Sequence, residues 1–263
     1  MFEIILTYIY MPTLLITMGA TGSGKSKLAE EIIKKLKIKD PIFFRIDDYV
    51  QNDKYYKNKI KKFTKGKNFR NKLKNPNKKT LKYFEKHYFN SRDIVGCKGN
   101  KKTKKKKKIK ECINTKNEKG CSLAHDTDMN KALRNKKNIV YETNGKSFPS
   151  WLIESIKKCS KYKIIIGAVK VSVNNLILRN KTRALKDMET FLKNNKEAPR
   201  LPDISKKTLS KNTKLLNKTI KNIFLYKCLQ KDYIEKECGQ KLNRLLIYDN
   251  NKNLKLIYDS KQS

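Results

Sequence analysis

Apolar and polar residues alternate in blocks along most of the chain. Two stretches, residues 26–38 and 174–194, carry apolar residues at the spacing of amphipathic helices. Four apolar runs have the length of buried strands: residues 13–18, 41–46, 138–143 and 162–172. Residues 244–260 form two further runs around Asp-Asn-Asn, which predicts a C-terminal β-hairpin. Strands that alternate with helices predict an α/β fold, with a parallel sheet and helices on both faces.

This pattern weakens between Tyr49 and about Leu123, where lysines dominate. The run KKTKKKKKIK at residues 101–110 cannot pack a core, so we expect residues 50–122 to be a basic, partly disordered insertion. Within that insertion, residues 80–89 keep a helical spacing. We expect residues 11–263 to form a single domain that contains the insertion, because a chain of this length can bury one sizeable core.

The 263-residue chain is strongly basic, with 64 Lys and Arg against 24 Asp and Glu and a net charge of +40. Such a charge attracts phosphates, nucleic acids and anionic surfaces without specificity, and the lysine run is a candidate for nucleic-acid contact. Lysine and asparagine are also favoured by AT-rich codons, so charge alone does not identify a partner. The six cysteines include no CxxC pair, and we expect a reducing, cytoplasmic location.

Residues 1–20 are apolar but lack the basic start of a signal peptide, since Glu3 stands where positive charge is expected. We interpret residues 13–18 as the first core strand, and translation could begin at Met1 or at Met11. No other apolar run is long enough to span a membrane, so we expect no membrane association.

The stretch GATGSGKS at residues 19–26 follows the first predicted strand and opens the first predicted helix. It has the spacing of a Walker A phosphate loop, whose glycines let backbone N–H groups approach phosphate oxygens. This spacing predicts that Lys25 reaches the β- and γ-phosphates of ATP and that the Ser26 hydroxyl ligates Mg²⁺. The pattern does not separate a kinase from an ATPase. The predicted ATP-binding residues are Gly19, Ala20, Thr21, Gly22, Ser23, Gly24, Lys25, Ser26 and Lys27.

Polar residues follow the second and third predicted strands, whose carboxyl ends should line the same crevice as the phosphate loop. Asp47 and Asp48 follow the second strand. A kinase needs such a carboxylate to orient the acceptor hydroxyl and to accept its proton. Either aspartate could do so, while the other serves Mg²⁺ or caps the next segment. Glu142 and Asn144 follow the third strand, where an acid could hold a substrate hydroxyl.

Arginine is rare among the lysines, with eight in the chain, and its planar fork suits phosphate groups. Arg179 and Arg183 lie four residues apart, on one face of a predicted helix. Arg200 lies in the Pro-flanked segment EAPRLPD, which could form a lid. We predict that Arg179 and Arg200 clamp the transferring phosphoryl group and that Arg183 contacts the nucleotide.

These motifs, in this order, resemble the zeta-toxin family of P-loop kinases. The order is GATGSGKS, RIDDYV, IVYETNG, LILRNKTR, APRLPD and the hairpin LLIYDNNKNLKLIYD, which together cover most of the chain outside residues 50–122. The resemblance implies ATP-dependent phosphorylation of the 3′-hydroxyl of UDP-N-acetylglucosamine or a related nucleotide-sugar. The site residues that it implies are Lys25 and Ser26 for ATP and Mg²⁺, Glu142 for substrate, and Arg179 and Arg200 for phosphates.

The chain departs from the family pattern at two positions. The family usually has Ile-Asp-x-Asp with the second Asp as the base, and Tyr49 stands at that position here. Asn144 stands where the family usually has Thr. We assign the base to Asp48, as in small-metabolite kinases with a paired Asp-Asp, and keep Asp47 as the alternative.

Two other functions fit part of the sequence. A polynucleotide 5′-hydroxyl kinase would share the phosphate loop and the aspartate base. Such kinases usually carry an arginine soon after the aspartate, however, and DDYVQNDKYYK has none. A nucleic-acid-binding protein would use the lysines for phosphates and KYFEKHYF for base stacking, but it leaves the phosphate loop unexplained.

Three further features have structural interpretations. The spacing of four potential zinc ligands is unlike that of a zinc finger: Cys97, Cys112, Cys121 and His125. We expect His87 to lie on a helix surface and Trp151 to pack against the sheet.

Overall fold

The computed structural model describes residues 11–66, 68–92, 121–146, 162–202, 205–226 and 242–262. The strands are β1 (Thr13–Met18), β2 (Ile42–Phe44), β3 (Ile139–Thr143), β4 (Lys163–Lys170), β5 (Arg244–Asp249) and β6 (Lys255–Asp259). The helices are α1 (Lys25–Leu36), α2 (Ile46–Asn52), α3 (Lys54–Thr64), α4 (Phe69–Lys74), α5 (Lys78–Arg92), α6 (Cys121–Arg134), α7 (Val173–Asn194) and α8 (Lys206–Tyr226). The lysine run and Trp151 lie outside the described residues.

One sheet contains the six described strands in the order β2-β3-β1-β4-β5-β6. Neighbouring strands are parallel except β5 and β6, which form the predicted C-terminal hairpin. All six residues of β1 are buried, because the strand has a neighbour on each side and helices above and below. Ile16 at its centre lies opposite Tyr141 of β3 and Ile166 of β4. The predicted α/β fold with a mostly parallel sheet is confirmed.

Successive residues of β1 face two separate apolar cores on the two sides of the sheet. Ile16 lies in a core with Leu133 of α6 and Ile220 of α8. Leu15 lies in the other core, with Leu28 of α1 and with the start of α7. The sheet is therefore covered by helices on both faces, as its strongly apolar strands require.

Helices α2 to α5 surround a third apolar core. Tyr56 and Ile60 of α3 are fully buried there, together with Phe84 of α5. Phe191 of α7 belongs to the same core, while Leu176 at the other end of α7 belongs to a core of the sheet. Helix α7 therefore joins the helical region α2–α5 to the sheet.

Residues 50–66 and 68–92, within the segment expected to be a basic, partly disordered insertion, are mostly helical and packed. Apolar and aromatic residues recur there every three or four positions between the lysines. That spacing buries one face of each helix, while the lysine side chains keep their charged ends in water. The helix expected at residues 80–89 is confirmed as part of α5.

Two predicted strand boundaries differ from the structure. The run at residues 41–46 contains a strand of only three residues, and the chain then turns directly into α2. Asp47 and Asp48 lie in the first turn of α2, where the helix dipole favours negative charge. Strand β4 also ends earlier than predicted, because Ser172 caps α7.

His87 is only 8% exposed, so its expected place on a helix surface is wrong. Its Nδ1 atom lies 2.9 Å from the Tyr55 hydroxyl, and its ring lies edge-on to Tyr83 with 4.5 Å between centroids. Burial lowers the pKa of His87, and the charges of Lys59 and Lys86 lower it further. His87 is therefore part of the packing between α3 and α5.

Among the described residues, no helix combines the length and the apolar character needed to cross a membrane. The same residues contain no cluster of three or more His, Cys, Asp and Glu side chains suited to a metal ion. Two of the four potential zinc ligands, Cys97 and Cys112, lie outside this part of the chain.

Candidate active site

A cleft of about 610 Å³ lies next to the carboxyl ends of β1 and β3. Its walls come from five residues between Thr21 and Ser26, from the first turn of α2, from the end of β3 and from one side of α5 and of α7. Parallel strands bring their carboxyl ends to one edge of a sheet, where ligands bind in open α/β folds. The cleft therefore has the position expected of a functional site.

The phosphate loop, residues 19–26, turns sharply between β1 and α1. Gly22 and Gly24 have φ angles of 82° and 88°, in the left-handed region that glycine enters without strain. Space is also restricted there. A Cβ on Gly22 would lie 2.4 Å from Asn180 Nδ2, and one on Gly24 would lie 2.6 Å from Asn250 Nδ2. The loop can keep this shape only with glycine at both positions.

Lys25 lies at the start of α1 and folds back over the phosphate loop. Its Nζ atom donates hydrogen bonds to the carbonyl oxygens of Gly19 at 3.0 Å and Ala20 at 3.4 Å. Burial lowers the pKa of Lys25, and the carboxylates of Glu142 and Asp47 partly offset this effect. The ammonium group is therefore held next to the phosphate loop and within the field of the acidic residues of the cleft.

Two asparagines that the sequence analysis did not select hold the outer side of the phosphate loop. Asn180 Nδ2 donates to the carbonyl oxygen of Thr21 at 2.8 Å, and Asn250 Nδ2 donates to that of Ser23 at 2.8 Å. Their exposed fractions are 3% and 8%, so both amides are buried. Sequence separations of 159 and 227 residues left no local signal by which to find them.

Asp47 forms a partly buried ion pair at the start of α2. Arg200 Nη1 donates to both of its carboxylate oxygens, and the Tyr88 hydroxyl donates to Oδ1. The Arg200 guanidinium also lies over the Tyr88 ring, 4.5 Å from its centroid. Burial by itself would raise the pKa of Asp47, but Arg200, Tyr88 and Lys25 together hold it below the ordinary value. Asp47 is therefore ionised and both its oxygens are occupied.

Asp48 has a different environment from its neighbour. Its side chain is 45% exposed, and its Oδ2 atom lies 3.9 Å from Arg45 Nη1. Burial raises the pKa of Asp48 to about 6; Arg45 opposes this shift, and Glu197 and Glu142 add to it. Asp48 is therefore a carboxylate that can exchange a proton near neutral pH.

Glu142 and Asn144 lie at the end of β3 on the wall of the cleft. Arg45 Nε donates to Glu142 Oε1 at 2.7 Å, and the same guanidinium lies 4.7 Å from the centroid of the Phe43 ring. Glu142 is therefore fixed by a stacked arginine. Asn144 is exposed, and its Oδ1 atom accepts a hydrogen bond from the Lys146 N–H at 3.0 Å, as in an Asx turn.

Tyr49, at the position of the second family aspartate, does not line the cleft. Its hydroxyl donates to Asp128 of α6 at 2.9 Å, and its ring lies edge-on to His125. Tyr49 therefore ties α2 to α6 and does not take the place of an acidic side chain in the cleft.

Arg179 and Arg183 of α7 both line the cleft. Arg179 Nη2 donates to the carbonyl oxygen of Asn250 at 2.7 Å, which ties α7 to the turn after β5. Arg183 Nε donates to Asp187 at 3.1 Å, and the Arg183 side chain is 55% exposed. Two guanidinium groups thus lie on one wall, the first anchored and the second at the surface.

No protein-family model matches the chain, and a search of curated proteins gave no match. Among solved structures, one from the PezAT chromosomal toxin–antitoxin system of Streptococcus pneumoniae has a TM-score of 0.50 and 11% sequence identity. The match covers 96% of this chain and 74% of that one. At this identity the likeness shows the fold alone, an α/β fold with a mostly parallel sheet covered by helices.

Two more distant structures also match. A chain of the Pnkp1/Rnl/Hen1 RNA repair complex has a TM-score of 0.41 and 15% identity, over 88% of this chain and 52% of that one. A gluconokinase from Sinorhizobium meliloti has a TM-score of 0.30 and 11% identity, over 91% and 83%. Likenesses this distant carry no argument about activity.

The structure brings most of the predicted site residues into this one cleft: Thr21, Gly22, Gly24, Lys25, Ser26, Asp47, Asp48, Glu142, Asn144, Arg179, Arg183 and Arg200. Four predicted residues of the loop region do not line it: Gly19, Ala20, Ser23 and Lys27. Ala20 and Ser23 are buried, and Lys27 is exposed. The roles of all these residues in binding and catalysis remain predictions.

Several residues of the cleft had not been assigned to it from the sequence: Arg45, Tyr88, Arg92, Tyr141, Thr143 and Glu197. Arg45 could have been found, because it is one of the few arginines and precedes the acidic pair. Tyr88 and Arg92 lie on α5, inside the segment interpreted as an insertion. Because that segment is rich in lysine, the sequence did not indicate that one of its helices lines the cleft.

Proposed function

We propose that the protein is an ATP-dependent kinase that transfers the γ-phosphoryl group to a hydroxyl group of a small acceptor. One observation carries the proposal: the phosphate loop with Lys25, the carboxylate of Asp48 and the guanidinium of Arg200 line the same cleft. Phosphoryl transfer has a loose transition state, so catalysis depends on positioning and on positive charge around the transferring group. The cleft contains groups suited to both tasks.

The phosphate loop supports ATP as the phosphoryl donor. Its backbone turns into the start of α1 through the left-handed Gly22 and Gly24, and such a turn suits its N–H groups to a phosphate cradle. Lys25 lies within reach of phosphates placed in this cradle. The Ser26 hydroxyl lines the cleft in the first turn of α1 and fits Mg²⁺, which prefers oxygen ligands. When bound, that ion neutralises negative charge on the β- and γ-phosphates.

Asp48 is the proposed base that orients the acceptor hydroxyl and takes its proton. A pKa of about 6 leaves Asp48 mostly deprotonated at neutral pH, yet basic enough to accept a proton late in the transfer. Asp47, in contrast, already has both oxygens bound to Arg200, with the Tyr88 hydroxyl on one of them. These contacts favour a role for Asp47 in holding Arg200 in place. Asp47 remains the alternative base.

The proposed acceptor is a nucleotide-sugar such as UDP-N-acetylglucosamine, with Glu142 and Asn144 as substrate-binding residues. Its support is the sequence resemblance to zeta toxins, together with the fixed carboxylate of Glu142 on the cleft wall. Carboxylate and amide oxygens accept hydrogen bonds from sugar hydroxyls. Arg45 and Arg92, which also line the cleft, offer positive charge to an acceptor that carries phosphates.

The test is an assay of the purified protein with γ-labelled ATP, Mg²⁺ and a panel of acceptors. The panel holds UDP-N-acetylglucosamine, other nucleotide-sugars and a 5′-hydroxyl oligonucleotide. We expect label on the nucleotide-sugar and its loss in the Lys25→Ala variant. Label on the oligonucleotide would identify a polynucleotide kinase instead. Salt-sensitive binding of the oligonucleotide without transfer of label would favour a nucleic-acid-binding protein.

A further inference from the structure

The carbonyl groups of Thr21 and Ser23 in the phosphate loop point outward, to the amides of Asn180 and Asn250. The two asparagines come from different elements, α7 and the turn after β5. Each amide also occupies the space in which a Cβ of the following glycine would lie, at 2.4 and 2.6 Å. The outer side of the loop is therefore packed and hydrogen-bonded at two alternate peptide groups.

Peptide geometry makes these outward bonds important for the inner side of the loop. In a trans peptide the carbonyl and the following N–H point in opposite directions, and the described residues contain no cis bond. Holding the Thr21 and Ser23 carbonyls outward therefore turns the N–H groups of Gly22 and Gly24 toward the cleft. Both glycines line the cleft, and neither N–H donates a hydrogen bond within the part of the chain that the structure describes.

We propose that Asn180 and Asn250 are positioning residues for nucleotide binding, which orient two N–H groups of the phosphate loop toward the phosphates of ATP. The proposal rests on the proposed ATP-binding function of this loop. Neither asparagine lines the cleft, so both act through the backbone of the loop.

Arg179 connects the two asparagines into one unit. It is the neighbour of Asn180 in α7, and its Nη2 atom donates to the carbonyl oxygen of Asn250 at 2.7 Å. Asn180 Nδ2 also donates to the Leu176 carbonyl at 2.8 Å, so its amide is fixed on its own helix before it meets the loop. An arginine proposed to contact phosphate is thus linked to both loop supports, by its neighbour Asn180 in α7 and by its hydrogen bond to Asn250.

The experiment measures MgATP affinity by isothermal titration calorimetry for Asn180→Asp and Asn250→Asp. Each change keeps the shape of the side chain but replaces the amide donor with an acceptor that faces a carbonyl oxygen. Loss of such a buried hydrogen bond predicts a dissociation constant raised at least about tenfold in each variant. Asn174→Asp and Asn253→Asp are matched controls, because they add the same charge at exposed asparagines of α7 and the β5–β6 turn.

Inorganic tripolyphosphate is the second probe, because it offers the loop phosphates without a base or a ribose. We expect its affinity to fall by the same factor as that of MgATP. The Michaelis constant for ATP should rise while that for the acceptor stays at its wild-type value, a split that a general loss of structure would not produce. If an aspartate variant does not fold, Asn180→Ala and Asn250→Ala remove the donor without adding charge and should weaken binding in the same direction.

Wild-type affinity for MgATP in folded Asn180 and Asn250 variants would overturn this inference, and so would an equal loss in the two controls. Failure of the proposed function would look different. In that case the wild-type protein itself would not bind MgATP, or Lys25→Ala would bind it as well as the wild type.

Discussion

The phosphate side and the acceptor side of the cleft are built in different ways. The proposed phosphate side is one continuous turn, residues 19–26, whose proposed binding groups are largely backbone N–H groups and the Lys25 ammonium. The acceptor side is assembled from side chains on separate elements. Tyr88 and Arg200 meet Asp47 across sequence separations of 41 and 153 residues.

The two sides also treat charge differently. Lys25 is a partly buried cation with hydrogen bonds to neutral carbonyl oxygens, so its charge is available to anions in the cleft. On the acceptor side two arginines already have acidic partners, in the pairs Arg200–Asp47 and Arg45–Glu142. The phosphate side can therefore present the charge of Lys25 directly to a ligand. On the acceptor side the charges are held in ion pairs, which a substrate must either contact as they are or separate.

The largest expected effect comes from the phosphate side. Lys25→Ala removes the cation next to the β- and γ-phosphates, and we expect a loss of turnover of at least roughly 10²–10³-fold with the fold intact. Lys34→Ala is the matched control, since it removes an exposed lysine from the last turn of the same helix. Steady-state kinetics and circular dichroism check both. Substantial turnover in Lys25→Ala would show that the phosphate side is not the donor site.

The next effect separates the two aspartates of the acceptor side. Asp48→Asn should lower kcat by roughly 10²–10⁴-fold, as expected for loss of a general base. In the wild-type protein kcat/KM should fall below a pH of about 6, because the base must be deprotonated to accept a proton. An active Asp48→Asn together with an inactive Asp47→Asn would assign the base to Asp47.

A smaller effect is expected at Tyr88, which supports Asp47 and Arg200 from α5. Tyr88→Phe keeps the ring beneath Arg200 and removes one hydrogen bond, so kcat should fall by up to about tenfold. Tyr83→Phe is the control. Tyr83 lies on the same helix as Tyr88 but outside the cleft, and its hydroxyl donates to the Lys59 carbonyl of α3. Equal activity of the two variants would show that the Tyr88 hydroxyl of α5 does not support the acceptor side.

The smallest effect concerns stability. The folded chain holds the Asp48 proton more tightly than the unfolded chain does, since its pKa is raised from 3.8 to about 6. Ionisation between these values therefore lowers the stability of the folded state. In thermal unfolding, the stability of Asp48→Asn relative to that of the wild type should increase as pH rises from 4 to 8. The effect is modest because the side chain is half exposed, and a change of opposite sign would contradict the raised pKa.

The same contrast explains what could be predicted from the sequence. The phosphate loop, β1 and α1 are contiguous, so periodicity and glycine spacing were enough to indicate them. The strands β3 and β4 and the terminal hairpin were also indicated by apolar runs. Asp47, Asp48 and Glu142 could be assigned to the cleft because parallel strands end at one edge of a sheet.

The helical wall α2–α5 could not be predicted in the same way. Its apolar residues, such as Tyr56 and Phe84, are separated by lysines whose number suggested a solvated segment. Contacts such as Asn250 to the Ser23 carbonyl depend on how distant elements pack, and no local pattern records them. The sequence therefore indicated the residues of the phosphate side. On the acceptor side it indicated only the residues that directly follow strands.

The most direct test of the two-sided cleft measures MgATP affinity and phosphoryl transfer on the same preparations of Lys25→Ala and Asp48→Asn. The account predicts that Lys25→Ala loses both ATP affinity and transfer. It predicts that Asp48→Asn binds MgATP with close to wild-type affinity and loses transfer by at least roughly 10²-fold. Contradiction would come from an Asp48→Asn variant that loses ATP affinity as fully as Lys25→Ala, or that still transfers the phosphoryl group at the wild-type rate.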